Sequence, residues 1–166
     1  MMTEITPRQI YEVMKNYRPE CRFLKSAQIE YPSIRGKFLI GKTFYHVPPV
    51  KHATDVEIQL CLNQLTYVGM LQLFESQNVP ELSGLDFSEL RTEGMLITES
   101  RKRFRKPIST GKEFLGHLNI EEWKNFGNLL VARTKFDFEN RSCFGNLELV
   151  LVKPMTDPDR VREAER

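Results

Sequence analysis

Apolar and polar residues alternate along most of the chain with the two-residue period of β-strands. This alternation predicts six strands, at 22–31, 34–45, 95–104, 114–123, 129–139 and 142–152. The clearest is 129–139, where Leu130, Ala132, Thr134, Phe136 and Phe138 share one face. Turn residues separate neighbouring runs, with Pro32-Ser33 between the first two strands and Asn140-Arg141 between the last two.

Residues 54–78 depart from this alternation and form the strongest predicted element. Thr54 followed three residues later by Glu57 is a capping box, which predicts a helix start. Two rows of mainly apolar residues run along the helix, and we call them the first stripe and the second stripe. The first stripe is Val56, Leu60, Asn63, Tyr67, Leu71 and Phe74, and the second stripe is Ile58, Leu62, Leu65, Gly69 and Leu73. Because the helix is apolar on nearly every side, we expect it to be buried, ending before Pro80 and Gly84.

A shorter amphipathic helix is predicted over residues 5–17, with Thr6 as its cap and Pro7 at its first position. Residues 85–92 are predicted to form a short covering turn or lid. The element order is therefore one short helix, two strands, one long buried helix and about four strands. A curved antiparallel sheet wrapped around one central helix, the hot-dog fold of the α+β class, buries that helix most simply. A cystatin-like roll ranks lower because it usually places its helix first.

Length and composition favour one globular domain over residues 1–155, followed by a charged, flexible tail at 156–166. The chain has 166 residues, of which 40% are hydrophobic and 28% charged, a composition that folds. A net charge of +2 argues against nucleic acid as a partner. Without an apolar run long enough to span a bilayer and without a signal peptide, we expect a cytoplasmic protein. The three cysteines lie far apart, so no metal, cofactor or disulfide framework is expected.

Asn63 is the most informative polar position, because it interrupts the apolar first stripe. A buried amide without partners costs about 1–3 kcal/mol. Asn63 therefore either bonds a carbonyl of a neighbouring strand or orients water or a substrate carbonyl in a pocket. Its neighbour Gln64 is expected to bond locally.

The start of the long helix is the second candidate site. Its free N–H groups around Asp55, Val56 and Glu57 form a positively polarised end suited to a developing oxyanion. Glu57 is expected mainly to complete the capping box, and Asp55 to complement the helix dipole. His46 and His52 flank the preceding proline turn and are expected to be solvated more often than catalytic.

Tyr45 is predicted to end a strand beside this loop, where its hydroxyl can reach the pocket. The run Arg101-Lys102-Arg103-Phe104-Arg105-Lys106 follows in the strand after the helix. Alternation places Arg101, Arg103 and Arg105 on one face. Such a run is either a solvated edge strand or a cationic patch for phosphates or an acidic partner protein.

Three segments carry a resemblance to a known family. KHATDVEIQLCLNQLTYVGM at 51–70 resembles the central-helix segment of the FcoT-type long-chain fatty acyl-CoA thioesterases. FLIGKTFY at 38–45 and MLITESRKRFRKP at 95–107 resemble the strands on either side of it. The match covers most of the chain and is weakest at 76–93 and after 108.

This resemblance implies a hot-dog fold, a homodimer or larger homo-oligomer, and activity on acyl thioesters of coenzyme A or an acyl carrier protein. It also implies a site of tyrosines and asparagines without a nucleophile or carboxylate base. That pattern carries over to Tyr17, Tyr45 and Asn63, whereas one further family asparagine is replaced by Thr54. For Tyr17, packing of the short helix is the stronger expectation from the residues alone.

The leading hypothesis is therefore hydrolysis of long- or medium-chain fatty acyl thioesters in lipid or lipopeptide biosynthesis. Asn63 would orient the attacking water. Thr54, Asp55, Val56, Glu57 and His52 would bind the thioester, and Arg103 and Arg105 the phosphates of coenzyme A or an acidic carrier protein.

Two alternatives stay open. One is a hot-dog enzyme acting on enoyl or 3-hydroxyacyl thioesters. Dehydration is disfavoured because His46 would need a carboxylate about 14 residues later, where Leu60 stands, but conjugate addition needs mainly a polarised carbonyl. The other alternative is a non-catalytic acyl-thioester binding protein.

Overall fold

A computed structural model describes residues 2–77 and 79–153, so the predicted tail at 156–166 lies outside the described residues. The described chain forms one antiparallel sheet of seven strands: β1 (Thr3–Glu4), β2 (Leu24–Glu30), β3 (Ser33–Leu39), β4 (Met95–Phe104), β5 (Glu113–Phe126), β6 (Leu129–Phe138) and β7 (Cys143–Val152). Their order across the sheet is β1-β2-β3-β5-β6-β7-β4. The predicted six strands are all present, and β1 is an additional short edge strand.

The long helix α2 (Asp55–Ser76) lies against the concave side of the sheet and packs on β2, β3 and β5. Its capping box forms as predicted, with Thr54 at the N-cap and Glu57 returning to the Thr54 backbone. The second stripe is buried throughout, from Ile58 to Leu73. This arrangement of a curved antiparallel sheet around one central helix is the hot-dog fold. No helix among the described residues is long and apolar enough to cross a membrane.

The first stripe is less buried than the sequence predicts. Val56 is 47% exposed, and Leu60, Asn63, Tyr67 and Phe74 are half-buried. The helix α1 (Pro7–Met14), capped by Thr6, packs against α2 and the edge of the sheet. Because no described element covers the first turns of this stripe, its N-terminal part stays open.

The predicted lid is present and covers the other end of the first stripe. It consists of a short helix, α3 (Phe87–Glu89), and a π-helical turn at Leu90–Gly94. The Phe87 ring stacks edge-on against Phe74, with ring centroids 5.6 Å apart. The Arg91 guanidinium lies 5.4 Å from the centre of the Tyr67 ring. The lid therefore closes the C-terminal half of the first stripe and leaves Val56, Leu60 and Asn63 accessible.

Strand β4 forms one edge of the sheet and pairs only with β7 among the described strands. A register shift between Ile97 and Glu99 leaves Thr98 as a bulge. Ile97 pairs with Leu149 and Ser100 with Leu147, so Ser100 and, two residues later, Lys102 face α2. Strict alternation from Ile97 would have turned Arg101 and Arg103 inward instead, and the bulge places them on the outer face.

Candidate functional site

The first turn of α2 carries a compact hydrogen-bonded cluster. The Thr54 hydroxyl accepts from the Val56 backbone N–H at 3.2 Å and donates to Glu57 Oε2 at 2.7 Å. The Thr54 backbone N–H donates to the same carboxyl oxygen at 2.8 Å. The capping of α2 therefore already uses Thr54, Glu57 and the Val56 N–H. The sequence predicts all three to bind the thioester. Asp55, in contrast, points outward with a side chain that is 65% exposed.

Tyr45 joins this cluster, but from a loop rather than from a strand. The strand β3 ends at Leu39, so the prediction that Tyr45 ends a strand is wrong. The chain leaves the sheet near Ile40, whose backbone carbonyl is held by Gly111 N–H at 2.7 Å. From the loop, the Tyr45 hydroxyl donates to Glu57 Oε2 at 2.9 Å and lies against Thr54 Oγ1. Burial and, secondarily, the Glu57 carboxylate raise the pKa of Tyr45, so its hydroxyl stays protonated at neutral pH.

Glu57 is fully buried, with its two carboxyl oxygens in different surroundings. Oε2 accepts from the Thr54 backbone, the Thr54 hydroxyl and Tyr45, whereas Oε1 makes no hydrogen bond within the described residues. A buried oxygen without a partner is costly, and native proteins keep few of them. Because Tyr45 is 44% exposed, its hydroxyl links this buried carboxyl to the surface of the site.

A second polar cluster lies on the other flank of the same helix turns. Lys102 reaches from β4 to Asp55, with Nζ 3.1 Å from Oδ1, and also donates to Gln59 Oε1. Ser100 Oγ donates to the same Gln59 oxygen at 3.0 Å. Only 11% of the Lys102 side chain is exposed. Sequence reasoning missed Gln59, Ser100 and Lys102, because their meeting depends on the bulge at Thr98, for which the alternation pattern gives no signal.

Asn63 extends this second cluster by one helical turn. Its Oδ1 accepts from Gln59 Nε2 at 2.8 Å, so the partner is a side chain of the same helix and not the strand carbonyl that the sequence offers as an alternative. Asn63 is half-buried at the open end of the first stripe. The neighbouring Gln64 behaves in the opposite way. It is fully buried and bonds the backbone of Cys21, Phe23 and Leu24, so its expected local bonding is wrong.

A cleft of about 410 Å³ brings the start of α2 next to the end of the basic run. Its lining includes His52, Thr54, Asp55, Phe104, Arg105 and Lys106. Arg105 therefore lies at the predicted site, and its guanidinium stacks 5.0 Å from the Phe144 ring centre. Arg103 lies on the outer face of β4 and is not among the lining residues. His46 is exposed and turned to its own loop, with Nδ1 2.6 Å from the Pro48 carbonyl.

The structure does not bring Tyr17 to this cluster. Tyr17 packs on the hydrophobic core near Tyr67, and burial raises its pKa well above the ordinary value. Tyr67 follows Glu57 by ten residues on α2, a separation of about 15 Å along a helix axis. Tyr45 and Asn63 thus share the open end of the helix, while Tyr17 lies toward the lid. Among the described residues, no three His, Cys, Asp or Glu side chains are placed to hold a metal ion.

Comparison with known proteins adds a family and several relatives. Residues 12–151 match the family model of the FcoT-like thioesterase domain. A (2E)-enoyl-ACP glycyltransferase of Mycobacterium tuberculosis is 31% identical over 99 residues, which cover 55% of this chain and 54% of that protein. The enzyme of the same name from Mycobacterium marinum is 29% identical over 99 residues, covering 55% of this chain and 53% of that protein. The chain thus spans about half the length of the curated relatives it matches.

Among solved structures, a sigma28-regulated virulence protein of Campylobacter jejuni superposes with a TM-score of 0.51 at 10% identity, covering 90% of this chain and 93% of that one. A thioesterase superfamily protein of Shewanella loihica superposes with a TM-score of 0.46 at 9% identity, covering 79% of this chain and 91% of that one. At 10% identity, the Campylobacter superposition speaks only to the fold.

Proposed function

The chain belongs to the family of FcoT-like thioesterase domains, and from that premise we propose that it adds an amine to the β-carbon of a (2E)-enoyl thioester. The thioester is carried by an acyl carrier protein or by coenzyme A. The curated relatives, named as (2E)-enoyl-ACP glycyltransferases, support this reaction class. The observation that carries it is the open end of the first stripe, where apolar Val56 and Leu60 share the first turns of α2 with Glu57, which Tyr45 contacts, and Gln59, which Lys102 and Asn63 contact.

Conjugate addition needs mainly a polarised carbonyl and an amine held at the β-carbon. The amine nitrogen forms a bond to the β-carbon, the π electrons of the double bond move toward the thioester oxygen, and the enolate then takes a proton at the α-carbon. The nitrogen loses one proton, and the C–S bond stays intact. Tyr45 is protonated and partly exposed beside the positive end of α2. In this proposal its single O–H turns from Glu57 Oε2, to which it donates in the structure, and donates to the developing oxyanion. The acyl chain lies along the apolar side chains of the first stripe.

Hydrolysis of a fatty acyl thioester is the second candidate, and the thioesterase name of the family model favours it. In that reaction a water held by Asn63 attacks the carbonyl carbon, the C–S bond breaks, and the thiol takes a proton. Dehydration has less support, because His46 is turned to the Pro48 carbonyl and Leu60 occupies the position of the required carboxylate.

The carrier binds at the basic end of the cleft in this proposal. Arg105 and Lys106 line the cleft beside His52, and Arg103 lies next to it on the outer face of β4. Phosphates or an acidic carrier protein are suited to such a patch. Reversing the charge of Arg103 and Arg105 is expected to raise the KM for the carrier-bound substrate. An unchanged KM would contradict this assignment.

A homodimer or larger homo-oligomer is also part of the proposal. Strand β4 is an edge of the sheet, and Leu96 near its start is 50% exposed. A second copy that pairs along this edge would continue the sheet through the backbone groups of β4 that have no partner strand among the described residues. Light scattering on the purified protein tests this expectation, and a monomer at micromolar concentration would contradict it.

Product analysis by mass spectrometry tests the reaction itself. The purified protein is incubated with a saturated acyl thioester and with a (2E)-enoyl thioester, each with and without an amine. Addition predicts that only the enoyl thioester gains the mass of the amine, with its thioester intact. Free thiol and fatty acid from both substrates would instead establish hydrolysis. Binding of both thioesters without any product would identify a non-catalytic acyl-binding protein.

A further inference from the structure

Lys102 is a nearly buried cation whose ion-pair partner, Asp55, is largely exposed to solvent. Its side chain is 11% exposed, whereas the side chain of its ion-pair partner Asp55 is 65% exposed. The ammonium is fixed from the protein side by Gln59 Oε1, with Ser100 Oγ 3.5 Å away. An ion pair with one exposed member can exchange that member for another anion at little cost. Lys102 can therefore stay in place while a ligand carboxylate takes the position of Asp55.

The neighbouring side chains present further donors on the same flank of α2. Gln59 uses its oxygen for Lys102 and Ser100 and its Nε2 for Asn63 Oδ1. The Asn63 amide N–H groups make no hydrogen bond within the described part of the chain. A ligand entering this flank thus meets an ammonium and a free amide donor, with the Asp55 carboxylate at its outer border.

Resting on the amine addition proposed above, and taking as donor the glycine that the names of the curated relatives indicate, we propose that Lys102 binds the carboxylate of this α-amino acid. The displaced Asp55 carboxylate then lies beside the amino group of the donor. A zwitterion replaces one internal ion pair by two, so the net charge of the cluster does not change and no charge is left unpaired. Its ammonium passes one proton to the Asp55 carboxylate before the nitrogen, then neutral, attacks the β-carbon. Gln59 and Ser100 hold Lys102 in position, and Lys102 selects donors that carry a carboxylate over simple amines.

The experiment measures this selection with two donors of different charge. A (2E)-enoyl thioester of N-acetylcysteamine is mixed with glycine or with methylamine, and adduct formation is followed for the wild type, Lys102→Gln and Arg101→Gln. Arg101 is the matched control, because it precedes Lys102 on β4 but its side chain is 79% exposed and pairs with Glu99. The readout is the ratio of kcat/KM for glycine to kcat/KM for methylamine.

In Lys102→Gln we expect this ratio to fall by about 10- to 150-fold, through the KM for glycine, since a hydrogen bond to a charged group contributes about 1.5–3 kcal/mol. Arg101→Gln is expected to keep the wild-type ratio. Propionate is expected to compete with glycine in the wild type and to lose this effect in Lys102→Gln, a result that does not depend on how well the variant turns over.

Three results would overturn the proposal. If both donors lose the same factor in Lys102→Gln, Lys102 only supports the fold or the general chemistry. If the wild type uses glycine and methylamine equally well, the amine addition stands but the carboxylate subsite does not. If neither amine adds to the enoyl thioester, the proposed function fails, and the subsite fails with it.

Discussion

The two stripes of the central helix are similar in sequence and differ in what covers them. The second stripe faces β2, β3 and β5 and is buried along its whole length. The first stripe is covered by the lid only at Tyr67 and Phe74, and its other end, from Val56 to Asn63, stays half-open beside β4. Both stripes are mainly apolar, so the difference arises from where the neighbouring elements end.

Adjacent amides on the two sides of the helix show what this difference means for polar residues. Gln64 is buried and satisfies three backbone groups of the segment Cys21–Leu24. Asn63 is half-buried and, among residues 2–77 and 79–153, bonds only the side chain of Gln59. A buried amide that bonds backbone supports the fold, whereas an accessible amide that bonds only a side chain can exchange its partner for a ligand. The comparison therefore assigns a structural role to Gln64, and it supports the proposal that Asn63 binds substrate.

The largest expected effect comes from removing the buried amide. Gln64→Leu leaves the N–H groups of Phe23 and Leu24 and the Cys21 carbonyl without partners, which is expected to lower the free energy of unfolding by about 3 kcal/mol or more. Urea unfolding followed by circular dichroism measures this change. Asn63→Leu is the matched control and is expected to cost less than about 1 kcal/mol. Equal losses in the two variants would break the comparison.

The next effect is on activity alone. Asn63→Ala is expected to lower kcat/KM on the enoyl thioester by about tenfold, equivalent to about 1.4 kcal/mol of transition-state stabilisation, with the melting temperature changed by only a few degrees. Steady-state kinetics and thermal unfolding on the same preparation give both values. An activity equal to that of the wild type would exclude Asn63 from the site.

A smaller effect is expected at the helix start. Thr54→Ala removes the side-chain cap of α2 and is expected to cost about 1 kcal/mol of stability, whereas Thr54→Ser keeps the hydroxyl and is expected to cost less than half of that. Urea unfolding of both variants measures the contribution of the Thr54 hydroxyl to stability separately from that of its methyl group. If Ala and Ser variants are equally stable, the cluster around Glu57 does not depend on this cap.

The last effect is the smallest at neutral pH, where it is absent, and it appears only in alkali. Burial raises the pKa of Cys143 to about 11, and burial also raises the pKa of Cys61, on the sheet side of α2. In the unfolded chain these thiols ionise near pH 8.5, so the unfolded state gains stability first as the pH rises. The free energy of unfolding is therefore expected to be constant below about pH 8 and to fall between about pH 8.5 and 11. In Cys143→Ala this fall should be shallower, and an unchanged slope would contradict the assignment.

Much of the fold could be predicted because its signals are local. The capping box at Thr54, the turn at Asn140-Arg141 and the alternation in β6 each depend on a few neighbouring residues, and the structure confirms all three. The family resemblance added the expectation of a thioesterase-like domain, and the family model match over residues 12–151 confirms the family.

The candidate site was predicted only in part, because its members come from distant segments. Tyr45 could be named from its position just before the helix and Asn63 from its position on the apolar first stripe. Because β3 ends at Leu39, Tyr45 lies in a loop and not at the end of a strand. Tyr17 was carried over from the family pattern, and packing places it near Tyr67 instead. No pattern in the sequence pointed to Gln59 or Lys102, which lie 43 residues apart.

The sequence by itself thus determined the helices, the strands and the caps, because these depend on periodicity and on side chains within one turn of each other. The tertiary structure alone decided which end of the first stripe stays open and which basic residue faces it. The lid covers Tyr67 and Phe74, and one bulged residue, Thr98, turns Lys102 rather than Arg101 and Arg103 toward the helix. Both outcomes depend on how strands and loops far apart in the chain pack together, which no local pattern encodes.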